Sequence, residues 1–60
     1  MYEKIVAVAA TKGISIREIE RLCGFAYGTI QRWKRISPSV DKVLRVANAL
    51  NVTIDEIVKP

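Results

Sequence analysis

The sequence contains no histidine, and cysteine occurs once, as Cys23. Without histidine, the most frequent general base and the most frequent metal ligand are both missing. A lone thiol closes no internal disulfide and cannot complete a zinc site. It lies where a helix must pack inward, and a buried thiol behaves as a small hydrophobe. The carboxylates are no better placed for catalysis, since Glu18 and Glu20 are two apart and such neighbours point to different sides of a helix. Phosphate-cradling loops are absent too, because Gly24 and Gly28 are not followed by a Lys-Ser or Lys-Thr pair. These absences argue against an enzyme, a cofactor, a metal and a small-molecule substrate.

Proline is also scarce, with Pro38 and Pro60 only, while half of the 60 residues are hydrophobic. That composition excludes a disordered tail. The apolar run near the N-terminus is far too short to span a bilayer, follows Glu3, and lacks a signal-peptide arrangement. A chain of this length makes one domain, 1–60, near the lower limit for a core without a staple. Stability must come from burial, which suits a cytoplasmic protein that does not engage a membrane.

What is present is helical punctuation. A first helix is predicted from about Tyr2 to Thr11, broken at Gly13. Ser15-Ile16-Arg17-Glu18 matches a capping box that opens a second helix, ending near Cys23-Gly24. A third should cover roughly Tyr27 to Arg35. Ser37-Pro38-Ser39 breaks it, with Ser39 an N-cap for a fourth from Val40 to Leu50. Thr53-Ile54-Asp55-Glu56 is a second capping box and opens a fifth before Pro60. Apolar residues recur at three- and four-residue spacings: Ile5 and Val8; Ile19, Leu22 and Cys23; Ile30 and Trp33; Val40, Val43, Leu44, Ala47 and Leu50; then Val52, Ile54 and Ile57. No stretch alternates long enough for a sheet, so the expected class is all-α with five helices. Helix one is apolar almost all round through Val6, Ala7, Ala9 and Ala10. Such a helix is buried on more than one side or faces a partner, unless its alanines are simply good helix formers on a neutral surface.

The net charge of +4 is uneven. Residues 15–36 carry +3, against +1 before them and zero after. A polyanion would attract this stretch; a solvated basic surface would look the same. Two short helices joined by a Gly turn, apolar within and basic without, are the parts of a helix-turn-helix DNA reader. Its second helix must lock to the domain by one face while exposed side chains near its start reach base edges. Ile30 and Trp33 form the inward stripe. Tyr27, Gly28, Gln31 and Arg32 then lie outward with Thr29 at the margin, and these five are the candidate base contacts. Arg32 can pair bidentately with guanine, Gln31 can meet adenine or a phosphate, and Gly28 permits close approach at up to about 1 kcal/mol of helix stability. Tyr27 can pack on a thymine methyl, or be an ordinary half-exposed aromatic. Candidate phosphate contacts are the backbone amides near Ile16 and Arg17, with Arg17, Lys34, Arg35 and Ser37 beside them.

These residues resemble the Cro/C1-type (xenobiotic-response-element) helix-turn-helix family of phage repressors and bacterial regulators. The resemblance rests on Gly13, Gly24, Thr29-Ile30, Pro38-Ser39 and the ending ALNVTIDEIV, and covers nearly the whole chain. GFAYGTIQRW followed by SPSVDKVLRVANAL is similar to repressors of Gram-positive phages and mobile elements. The resemblance implies a compact five-helix, lambda-repressor-like domain that binds a pseudo-palindromic double-stranded DNA operator as a homodimer. It implies base contacts at Tyr27, Gly28, Thr29 and Arg32 and a phosphate site at Ile16. Many relatives carry a further dimerisation domain, so the chain also fits the N-terminal part of a longer regulator.

The sequence departs from the family pattern at several points. Ile16 replaces a common Gln, leaving only its backbone amide for a phosphate. Glu20 stands where a small Ala usually packs, and a carboxylate there needs a partner or a route to solvent. Ala26 replaces the Ser or Thr that caps the reading helix, an expected loss of about 1 kcal/mol. A common Arg–Glu bridge falls on Ala9 and Lys34, so both its partners are gone. The expected function is sequence-specific DNA binding by a transcriptional regulator, a phage or mobile-element repressor. The alternative is a protein-protein interaction module that keeps the scaffold and uses helix one or the C-terminal helices.

Overall fold

Gly13, Gly24 and Asn51 divide the chain, each with a left-handed backbone (φ 67°, 74° and 59°). In the computed structural model, which describes residues 1–58, the elements are α1 (Tyr2–Thr11), α2 (Ile16–Cys23), a 3-10 turn (Gln31–Lys34), α3 (Val40–Leu50) and α4 (Asp55–Val58). Among the described residues there is no strand. The expected stop at Pro60 lies outside the described residues.

The first three α-helices end by one device. Past α1, the Gly13 and Ile14 amides donate to the Ala10 and Ala9 carbonyls at 3.2 and 3.0 Å. Past α2, those of Gly24 and Phe25 donate to Arg21 and Glu20 at 3.3 and 2.8 Å. Past α3, those of Asn51 and Val52 donate to Asn48 and Ala47 at 3.1 and 3.0 Å. This is the Schellman arrangement, which satisfies carbonyls that a helix end leaves open. In each case the next residue (Ile14, Phe25 or Val52) is an apolar side chain packed against the core.

The helix starts are less regular than the capping boxes predict. Ser15 Oγ accepts the Glu18 amide at 3.1 Å, but Glu18 turns its carboxylate to Arg21. At Thr53 the other half forms: Glu56 reaches back and accepts the Thr53 amide at 2.8 Å. Ser39 occupies its N-cap position without a side-chain capping bond.

The core comprises Ile5, Ala9, Ile19, Ile30, Trp33, Val43, Val46, Ala47, Leu50 and Ile57. Burial of each large aliphatic side chain contributes about 1.5–3 kcal/mol relative to leaving it exposed. α2 packs on α3, and α1 packs on α4 and the 3-10 turn. Three side chains expected inside are instead outside: Leu22, Val40 and Leu44 are 54, 75 and 47% exposed. Val46, absent from the expected stripe, is fully buried. α1 buries a single stripe through Ile5 and Ala9, leaving Val6, Ala7 and Ala10 exposed.

The third expected helix is the largest correction, and with it the count of five. The described residues form four α-helices, and Tyr27–Ile30 are a turn leading into the 3-10 segment. Gly28 has φ +90°, outside any right-handed helix. Downstream, Trp33 to Ile30 (3.0 Å) and Arg35 to Arg32 (2.9 Å) are three-residue bonds, while Arg32 to Gly28 (3.3 Å) and Ile36 to Arg32 (3.1 Å) are four-residue bonds. The segment is helical in sense but not a regular α-helix.

Candidate nucleic-acid interface

A 3-10 turn repeats every three residues, so three side-chain rows run along it. Ile30 and Trp33 form the inner row and are buried. Gln31 and Lys34 form a second, Arg32 and Arg35 a third, and all four are exposed. Phe25 meets Trp33 edge to face, centroids 5.9 Å apart, and so ties the linker after α2 to this segment. Aromatic pairs prefer this geometry because one ring's edge is positive and the other's face negative.

The turn that leads into the segment is held from α2. Glu20 is 3% exposed; its Oε2 accepts the Ile30 amide at 2.9 Å and its Oε1 the Gly28 amide at 3.2 Å. The partner this carboxylate requires is therefore the backbone of the turn, not a cation. Ala26 has no side chain to cap with, and its carbonyl accepts both the amide (3.1 Å) and the hydroxyl (2.7 Å) of Thr29. Gly28 is explained by its backbone: nothing lies within 4 Å of where a Cβ would stand, but φ +90° disfavours any other residue.

Two shallow grooves share Gly28 and Gln31. One is lined by Gly28, Gln31, Arg32, Lys34 and Arg35. The other adds Tyr2, Ile16, Arg17, Glu20 and Tyr27 to the shared pair. Of the ten residues expected to contact DNA, eight therefore border one continuous surface. Thr29 is half-buried between them with its hydroxyl hydrogen engaged, and Ser37 is exposed but outside both grooves. Sequence reasoning missed Tyr2 here. The Lys34 ammonium sits 5.0 Å from the Tyr2 ring centroid, so the lysine at the lost interhelix bridge finds an aromatic face, while Ala9 is buried.

The surface is cationic, with Arg17, Arg32, Lys34 and Arg35 along it. Among the described residues, Arg17, Arg32, Lys34 and Arg35 enter no salt bridge. Arg21 differs, because Glu18 raises its already high pKa through a hydrogen bond and then through charge. The Cys23 thiol is pushed up by burial, against a smaller opposing pull from Arg45. That keeps it in the unreactive protonated form near neutrality. No group of metal-ligating side chains occurs among the described residues, and no helix there is long and apolar enough to cross a membrane.

A short helix, a left-handed glycine turn, and a second segment locked inward and cationic outward define a helix-turn-helix domain of the DNA-binding class. Residues 10–57 match the helix-turn-helix family model, and the chain belongs to this family, of the Cro/C1 type, whose members are DNA-binding regulators. A comparison with curated proteins returns no match.

Proposed function

We propose that this domain, 1–60, binds double-stranded DNA in a sequence-specific manner and acts as a transcriptional repressor of a phage or mobile element. The segment from Tyr27 to Arg35 enters the major groove. The observation that carries this reading is the continuity of the two grooves around Gly28, with exposed Tyr27, Gln31 and Arg32 on one surface with Arg17, Lys34 and Arg35. Arg32 reads guanine by a bidentate pair and Gln31 reads adenine. The Thr29 hydroxyl donates its hydrogen to the Ala26 carbonyl, so it offers only acceptor lone pairs and its methyl group. Gly28 is the point of closest approach. Arg17, Lys34 and Arg35, the first amides of α2 at Ile16 and Arg17, and Ser37 hold phosphates and set the salt dependence. A homodimer on a pseudo-palindromic site in the cytoplasm completes the proposal.

The test is selection from a randomised duplex library, followed by affinity measurement on the enriched and a random duplex at one salt concentration. Enrichment with steep salt dependence is the expected result. A second reading, a protein-binding module, is favoured by exposed Val40, Leu44 and Ile36. It predicts little DNA binding even at low salt.

A further inference from the structure

We propose that Glu20 is a positioning residue for base reading, holding the reading turn from inside the domain. The inference rests on the DNA reading above and concerns how the same site is kept in register. Each carboxylate oxygen takes one amide, Gly28 on one side of Thr29 and Ile30 on the other. Bonds from amides to an ionised carboxylate are shorter and stronger than neutral ones, and burial strengthens them further. Glu20 pairs with no cation among the described residues, so its charge is directed wholly at this backbone. Within the turn, the Thr29 amide and hydroxyl both donate to the Ala26 carbonyl; among the described residues, Glu20 is the side chain from outside the turn that bonds its backbone. The Gly28 and Ile30 amides therefore meet a residue eight and ten positions back along the chain, and Tyr27, Thr29 and Gln31 take their places around them.

The same charge decides what the turn can meet. Free amides at the start of a helical segment attract phosphate. Here two of them are already spent on a buried anion that would repel a second. The turn is left to face base edges, and phosphates fall to the side chains of Arg17, Lys34 and Arg35. Glu20 so separates the base-reading part of the surface from the phosphate-binding part.

The experiment compares the native chain with Glu20→Gln, Glu20→Ala and the double variant Glu20→Ala/Ala26→Ser. The probes are the duplex that the native chain enriches from a randomised library and a random-sequence duplex at the same salt. Each single variant is expected to lower the ratio of enriched to random affinity by about tenfold, the scale of one lost base pairing. Random-duplex affinity should stay within about twofold, because the phosphate-binding side chains are untouched. The added serine, placed as a conventional cap, should recover part of the ratio. Backbone NMR gives a readout without DNA: the Gly28 and Ile30 amides should shift and exchange faster in Glu20→Gln. If Glu20→Ala does not fold, Glu20→Gln carries the comparison, since it keeps the shape and one acceptor oxygen. An unchanged ratio in a folded variant, or an equal loss on both duplexes, overturns the positioning role while the DNA reading stands. If the native chain enriches no duplex, the DNA reading falls and the positioning role with it. The two amide resonances then still report whether the carboxylate holds the turn.

Discussion

The guanidinium of Arg17 lies over the ring of Tyr27, 4.4 Å from its centroid, although Tyr27 is 79% exposed. The first turn of α2 and the turn at Gly28 are thereby coupled at the surface. Exposed cation–π pairs contribute about 0.5–1 kcal/mol. Arg17→Ala and Tyr27→Ala should each weaken DNA binding, and the double variant should lose less than their sum. Additive losses in that cycle would show that the two side chains meet DNA independently.

Arg32 and Arg35 lie on one row of the 3-10 segment yet should behave differently. Arg32→Ala is expected to cost about 1–3 kcal/mol of discrimination between the enriched and a scrambled duplex, leaving the fold intact. Arg35→Ala should weaken binding to both duplexes alike and reduce the salt slope by about one. Equilibrium titrations at several salt concentrations separate the two outcomes.

Gly28→Ala should destabilise the domain by about 1–2 kcal/mol in urea unfolding, the cost of a left-handed backbone for a residue with a Cβ. No collision contributes, because the added atom meets nothing within 4 Å. A neutral result would mean that the turn relaxes to a right-handed conformation at no expense.

α3 offers a test of which apolar face is the core. Val46→Ala should cost about 2 kcal/mol, from lost burial and the space left behind. Leu44→Ala, at a half-exposed site, should stay within about 0.5 kcal/mol. Reversed values would restore the face that periodicity alone suggests.

Cys23 provides the pH prediction. Its thiol pKa is raised in the folded chain, chiefly by burial. The group's contribution to stability is therefore complete below its ordinary pKa and declines as pH rises through the raised value. Alkylation of the folded protein at mildly alkaline pH should be slower than that of the urea-unfolded chain. Equal rates would place the thiol in open solvent.

The helix ends were legible because their causes are local. Gly13, Gly24 and Ser15 act within a few residues of themselves, and the structure uses each as its chemistry suggests. The segment from Tyr27 to Arg35 was not, because its conformation is decided at a distance. Nothing near Ala26 or Gly28 discloses that Glu20 will supply the anchor, nor that Gly28 will turn left-handed and leave a 3-10 segment. The choice between Leu44 and Val46 was hidden for another reason. α3 carries apolar residues over so wide an arc that its periodicity fits two stripes, and only the seating of α2 against it selects one. At the site, residue type suggested the charged and polar groups, while Tyr2 was invisible because its role comes from α1 lying beside the 3-10 turn.

The three matching helix ends also have a kinetic consequence. Each reversal closes with bonds between residues no more than five apart, so forming it costs little loop entropy. Chains whose contacts are mostly local fold fastest, within microseconds to milliseconds. Here the direction of the chain is set three times over by short stretches, before any distant pair of residues has to meet.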